Sequence, residues 1–213
     1  MGKVILNVSM SLDGYIAGPN HSVGKGMGEG GERLHDWMFK GPEPVESNRV
    51  ASNIKGREGY KAESINAGVV KEIFDTSGAF LMGRRWFDHG EKVWGASPFN
   101  MPVFVVTHRM RDKLVSGKTT FHFITDGLES AVRQAKAAAG DKNVVTGGAD
   151  LPRQLLKACL VDEIQISLIP VILGNGIPLF DATVRKHIEL QRISVIEAPD
   201  VTHLRFRVIK NGH

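Results

Sequence analysis

Apolar residues along this chain fall in short blocks whose spacing changes from one block to the next. Residues 4–10 are apolar with little interruption, which predicts a buried strand, and Asp13-Gly14 predicts the turn that leaves it. Between Gly18 and Gly31 the pattern dissolves into glycine and polar residues. That composition predicts a loop beside the first strand, of the kind that closes over a ligand. Residues 32–40 recover a helical spacing, with Leu34, Trp37 and Met38 on one side and Trp37 read as core. Residues 41–66 hold no period, and Pro42, Pro44, Gly56 and Gly59 predict irregular structure.

The pattern is regular from Ala67 onward. Val69, Val70, Ile73 and Phe74 predict a helix, followed by a strand at 79–82 and a short helix from Arg84. Strands are predicted at 101–107 and 119–124, a helix at 128–139 closed by Gly140, a strand at 143–146, a helix at 151–160 and a strand at 161–169. Pro170, Gly174 and Gly176 predict a bend, and residues 188–198 and 201–209 alternate as two strands joined at Pro199-Asp200. Strands separated by helices predict an α/β protein: a mostly parallel central sheet flanked by helices, with a C-terminal antiparallel hairpin. No shift of composition marks a linker, so residues 1–213 are read as one domain.

In such a sheet ligands gather beyond the carboxyl ends of the strands. After one strand end, Gly83 is followed by Arg84 and Arg85, two cations at a helix N-terminus whose unpaired N–H groups already carry partial positive charge. That placement costs free energy unless an anion is expected. After another, Gly147-Gly148-Ala149-Asp150 leaves the backbone bare and aims a second helix N-terminus at a ligand. A dinucleotide pyrophosphate satisfies both. Thr107, His108 and Arg109 leave a third strand end, where His and Arg would accept a ribose 2′-phosphate or stand as a solvated exit; the first reading implies NADPH rather than NADH. Gly26-Met27-Gly28-Glu29-Gly30-Gly31 spells the dinucleotide fingerprint, but no strand runs directly into it, so it is read as part of the loop. Hydride transfer also needs a proton source. Asp13, at the exit of the first strand, is the most economical candidate, with Glu32, His35 and Asp36 as alternatives.

Composition narrows the field further. Hydrophobic residues make up 42% of the chain, enough for a substantial core, and the formal charge is +4. The basic residues are scattered without interleaved aromatics, which disfavours a nucleic-acid surface. No apolar run approaches the roughly 20 residues of a membrane span, and the N-terminus lacks a signal-peptide pattern, so a cytoplasmic protein is expected. The single cysteine, Cys159, lies in an apolar stretch and is read as core packing. The eight histidines form no H-x-x-x-H or Cys/His cluster, so no metal is expected, and neither G-x-S-x-G nor G-x-x-x-x-G-K-[ST] occurs.

Five short motifs in order, Ser11-Leu12-Asp13-Gly14-Tyr15-Ile16-Ala17-Gly18, Leu81-Met82-Gly83-Arg84, Pro102-Val103-Phe104-Val105-Val106-Thr107, Thr146-Gly147-Gly148, and Leu160-Val161-Asp162-Glu163-Ile164 leading to Pro170-Val171-Ile172-Leu173-Gly174-Asn175-Gly176 and Leu179-Phe180, resemble the dihydrofolate reductase-like superfamily. The resemblance is to the branch related to the reductase domain of the bifunctional riboflavin-biosynthesis deaminase-reductase. It spans almost the whole chain. It implies an NADPH-dependent reductase acting on a pteridine-like or ribosyl-pyrimidine-like molecule, commonly a homodimer, with the alternating tail as an edge for pairing. By position it implies that Ile16 and Ala17 meet the nicotinamide and that Gly83, Arg84 and Arg85 hold phosphate. Thr107, His108 and Arg109 would take the adenosine end, while Gly147, Gly148, Ala149 and Asp150 line the pyrophosphate. The substrate carboxylate of dihydrofolate reductases aligns ambiguously with Glu32 or Asp36, and a chain with one cysteine lacks the deaminase's zinc ligands. The 41–66 stretch is expected to shape the substrate pocket, with Arg49, Lys55, Arg57 and Lys61 either binding a sugar phosphate or forming a solvated loop. The alternative function is a non-catalytic NADPH-binding sensor or scaffold.

Overall fold

The computed structural model describes residues 2–22, 25–39, 65–94, 97–182, 184 and 187–210. In chain order these form β1 (Val4–Ser11), β2 (Tyr15–Ala17), a 3₁₀ turn (Gly31–His35), α1 (Asp36–Phe39), α2 (Ile65–Thr76), β3 (Ser77–Gly83), α3 (Arg84–Glu91), β4 (Val103–Val106), β5 (Leu114–Ser116), β6 (Thr119–Ile124), α4 (Leu128–Ala139), β7 (Asn143–Thr146), α5 (Asp150–Lys157), β8 (Glu163–Ile169), β9 (Ile177–Pro178), β10 (Leu190–Ala198) and β11 (Val201–Val208). Nine of the strands make one sheet in the order β10-β11-β8-β1-β7-β3-β4-β6-β5, while β2 and β9 pair separately. The middle strands are parallel and β10, β11 and β5 run antiparallel to their neighbours, as the alternation of strands and helices predicts.

β1, β4 and β7 are buried nearly throughout because helices cover both faces of the sheet. Val4, Leu6 and Val8 pack with Ala131, Ala135 and Ala139 of α4 and Leu151, Leu155 and Leu156 of α5. A second cluster gathers Leu34, Trp37 and Val70 with Ile169 and Val201. A third joins Phe87 of α3 to Met82, Val103, Val105 and Phe121.

The structure departs from the periodicity in several places. The helix expected at 32–40 is a 3₁₀ turn followed by the single turn α1. Leu34 and Trp37, both buried, lie three residues apart, a spacing that three residues per turn brings onto one side. α2 begins at Ile65, inside the stretch expected to be irregular; the remainder of that stretch, with Arg49, Lys55, Arg57 and Lys61, lies outside the described residues. The short strands β2, β5 and β9 escaped notice because two or three residues carry no period.

Cys159 is exposed, which corrects its reading as core. α5 stops at Lys157, and Cys159 adopts φ +56. Its amide donates to the Leu156 carbonyl and that of Leu160 to the Leu155 carbonyl, at 3.0 and 2.9 Å. This is the double hydrogen bond that ends a helix in a left-handed residue, a position glycine usually takes. The turn aims the thiol away from the apolar stripe that surrounds it in sequence.

Candidate active site

β1, β3, β4, β6, β7 and β8 are parallel, so their carboxyl ends share one edge. Register decides what opens there. β1 pairs with β8 as far as Ser11, but with β7 only from Val4 to Leu6. β7 ends at Thr146 and turns into α5, leaving a crevice between residues 7–11 and the Gly147-Gly148 turn.

The two glycine motifs meet in this crevice. Gly148 has φ +79, and a Cβ there would lie 3.5 Å from the Trp86 ring. A Cβ on Gly147 would press to 3.2 Å against both the Asn7 carbonyl oxygen and Trp86. Trp86 of α3 thus lies against the diglycine that follows β7, and Arg85 reaches Asp150 at 3.3 Å beside it. Neither α3 nor α5 has a side-chain cap, so the first N–H groups of both helices meet this edge without a side-chain acceptor. Ala149, buried, precedes α5. Arg84 leans along its own helix, with Nε donating to Asp88 Oδ1 at 2.7 Å. Arg85, with a side chain 85% exposed, is the freer cation.

The register Gly83↔Val106 sets Thr107, His108 and Arg109 next to the start of α3. Thr107 is buried; its amide donates to the Ile124 carbonyl at 3.0 Å and its hydroxyl accepts from the Arg109 amide at 3.1 Å. His108 and Arg109 stand exposed beyond it.

Ile16 and Ala17 lie in β2, held antiparallel to β9. Gly176 is needed for that pairing, since its φ is +143 and a Cβ would strike the Ala17 carbonyl. β9 is tied to α5 by Arg153. Its Nε donates to the Leu179 carbonyl at 2.9 Å and a second nitrogen donates to the Pro178 carbonyl, while Asp181 and Asp150 lie at 2.6 and 3.3 Å. Beyond β2, the loop folds on itself through Gly18 N–H to Met27 O at 2.8 Å and Glu29 N–H to Pro19 O at 2.9 Å. Its His21 ring lies 6.1 Å from that of His89 on α3, so the loop reaches from β2 to the far side of the crevice.

Of the four candidates for the proton source, Asp36 opens α1 with its carboxylate 3.8 Å from Arg33, and the other three separate. Asp13 accepts from the amides of Leu173 and Gly174 at 3.1 and 2.7 Å. The Ser11 hydroxyl, then these amides, hold its carboxyl below the usual range. In this arrangement Asp13 is an ionised carboxylate that fastens the Leu173–Gly174 backbone to the exit of β1. Glu32 is exposed on the 3₁₀ turn. His35 is half-buried on the same turn, which packs against β1 and β2. Burial lowers its pKa, against the opposing pull of the Gly31 carbonyl and the charges of Asp36 and Glu32. Its ring is therefore neutral at neutral pH, and Nδ1 is sealed from solvent without a hydrogen-bond partner among the described residues.

Trp86 and Arg153 escaped the sequence reading, although a lone arginine on the apolar face of α5 was a legible signal. Among the described residues no group of three or more His, Cys, Asp or Glu is placed to hold a metal, and no helix is long and apolar enough to cross a membrane.

A family model described as the RibD C-terminal domain matches residues 2–204. The chain belongs to that family. It is 26% identical over 180 residues to the uncharacterized protein YwjB of Bacillus subtilis, covering 84% of this chain and 82% of that one. Among solved structures it resembles a protein of Shewanella sp. PV-4 named for riboflavin biosynthesis, with TM-score 0.65 and 21% identity over 98% of this chain and 99% of the other. The diaminohydroxyphosphoribosylaminopyrimidine deaminase/5-amino-6-(5-phosphoribosylamino)uracil reductase of Thermotoga maritima matches with TM-score 0.59 and 14% identity over 98% of this chain and 57% of that one. Dihydrofolate reductase of Enterococcus faecalis, complexed with NADP(H), matches with TM-score 0.55 and 10% identity over 98% of each chain. The fold of this RibD C-terminal domain is therefore dihydrofolate reductase-like.

Proposed function

We propose that the chain is a single-domain, cytoplasmic, NADPH-dependent reductase that acts on a pteridine-like or ribosyl-pyrimidine-like small molecule. The observation that carries this reading is the pair of helix N-termini without side-chain caps, α3 and α5, that flank the crevice between β1 and β7, where the diglycine packs against Trp86. Two such helix ends fit a pyrophosphate, because their first N–H donors lack a side-chain acceptor. Gly83, Gly147, Gly148 and Ala149 would hold the pyrophosphate through backbone, with Arg85 adding charge and Arg84 completing the wall. Thr107, His108 and Arg109 would take the adenosine ribose, where two cation-capable side chains favour a 2′-phosphate over a free hydroxyl. Ile16 and Ala17 would meet the nicotinamide through the β2 backbone.

When bound, NADPH supplies the hydride. The chain's own residues then have three tasks. Asp13 fixes the Val171–Gly174 loop against the exit of β1 through two backbone hydrogen bonds. Arg153 keeps β9, and with it β2, at a constant distance from α5. The 3₁₀ turn sets His35 against β1 and β2, with Glu32 at its solvent side; either would give the substrate its proton only from its protonated form, His35 as the imidazolium, and would then be recharged from solvent. Reductase and NADP(H) in the names of the structural neighbours support the same reading.

Side-by-side titration of NADPH and NADH, followed by fluorescence from Trp86 against the diglycine, tests it. Tighter binding of NADPH is expected, followed by NADPH oxidation with one member of a pterin and pyrimidine panel. Binding of neither nucleotide would remove the reading.

A further inference from the structure

A carboxylate does not belong beside a pyrophosphate, yet Asp150 stands at the first position of α5, next to the diglycine. Its contacts explain why it is tolerated. One oxygen lies 3.3 Å from Arg85 and the other 3.3 Å from Arg153. The two arginines differ in kind. Arg153 is held on every side by carbonyls and by Asp181, with its side chain only 9% exposed, so it does not move. Arg85 has no other ion pair among the described residues, and its side chain is 85% exposed. An exposed pair of this kind is weak and readily exchanged.

Resting on the cofactor reading above, we infer that Asp150 is a built-in stand-in for ligand phosphate rather than a ligand contact: it holds Arg85 over the crevice until a phosphate group displaces it. Arg85 then passes from the 3.3 Å carboxylate contact to a phosphate, which its guanidinium can engage with two parallel hydrogen bonds. Asp150 then keeps its 3.3 Å contact to Arg153, a cation that it shares with Asp181 at 2.6 Å. The device keeps Arg85 oriented in the empty site and makes every bound phosphate compete with an internal anion. Affinity is thereby set lower than the site's donors alone would give.

The experiment is a double-mutant cycle read by binding. NADPH and, separately, inorganic pyrophosphate are titrated into the wild-type chain, Asp150→Asn, Arg85→Ala and the double variant at low salt, with tryptophan fluorescence as the signal. Thermal melts confirm that all four are folded. Asp150→Asn is expected to bind both ligands about three- to tenfold more tightly, Arg85→Ala more weakly, and the double variant like Arg85→Ala alone. A gain that persists without Arg85 would mean simple through-space repulsion and would overturn the exchange. So would unchanged or weaker binding by Asp150→Asn while the wild type binds normally. If the wild type binds neither ligand, the cofactor reading itself fails, and the exchange falls with it.

Discussion

Ser167 of β8 donates its hydroxyl hydrogen to Nδ1 of His203 on β11 at 3.0 Å, in the interior of the sheet. The opposite ring nitrogen, Nε2, lies 3.0 Å from Asn66 Oδ1 of α2, an acceptor, and therefore carries the proton. The Nε1–H of Trp37 donates to Ser9 at 2.9 Å, and its ring meets that of His203 edge to face at 4.7 Å. Three strands and two helices are thus joined through polar groups shielded from water. Burial pushes the His203 pKa down to about 4.

That depression makes stability depend on pH. His203 is neutral in the folded chain but takes a proton in the unfolded one below its ordinary value of 6.5. The contribution is complete above about pH 6.5 and is lost as pH falls toward about 4, amounting to about 3 kcal/mol over that interval. Urea unfolding at pH 7.5 and 4.5 should show the loss, and His203→Gln should flatten it. An equal slope in the variant would assign the effect to other groups.

Arg153 is the bolt between α5 and the β2–β9 pair. Arg153→Met leaves the Pro178 and Leu179 carbonyls and the Asp181 carboxylate without this partner. A loss of about 3 kcal/mol is expected from breaking such a buried arrangement. Denaturant midpoints at an unchanged m-value would measure it.

Cys159 occupies a glycine's place in the cap of α5. Cys159→Gly should stabilise the chain by about 1 kcal/mol by relieving the left-handed conformation. In the native protein the thiol should react with a disulfide reagent at close to the rate of an unfolded control. Protection by orders of magnitude would contradict the exposure seen here.

Gly147→Ala separates binding from stability. The added methyl meets the Asn7 carbonyl and Trp86, both of which line the crevice. NADPH affinity is expected to fall about tenfold or more, equivalent to about 1.4 kcal/mol. A melting temperature shifted without any change in affinity would move the nucleotide away from the diglycine.

We propose that a second copy of the chain pairs on β10, the edge strand, which exposes Leu190, Ile193, Val195 and Ile196. A long edge bearing that much apolar surface invites pairing with a second copy. Val195→Lys should shift sedimentation toward monomer. A wild-type chain that sediments as a monomer at high concentration would defeat the assignment.

The sequence alone determined the strands and helices whose apolar period runs for four residues or more. β6, α4 and β7 have the boundaries that their patterns predict, because each buries one continuous stripe or run. It also marked Gly83, Arg84 and Arg85 and the Gly147-Gly148 turn as unusual, since glycine and paired cations at helix starts are locally unfavourable without a ligand. Local chemistry could go no further. That β7 stops beside Leu6 while β8 continues to Ser11, opening the crevice, is a matter of register between strands more than a hundred residues apart. The pairing of Arg85 with Asp150, the fastening of Asp13 to Gly174 and the exposure of Cys159 likewise exist only once those strands are side by side. A residue's partner depends on the whole packed arrangement, whereas its period depends only on its neighbours in the chain.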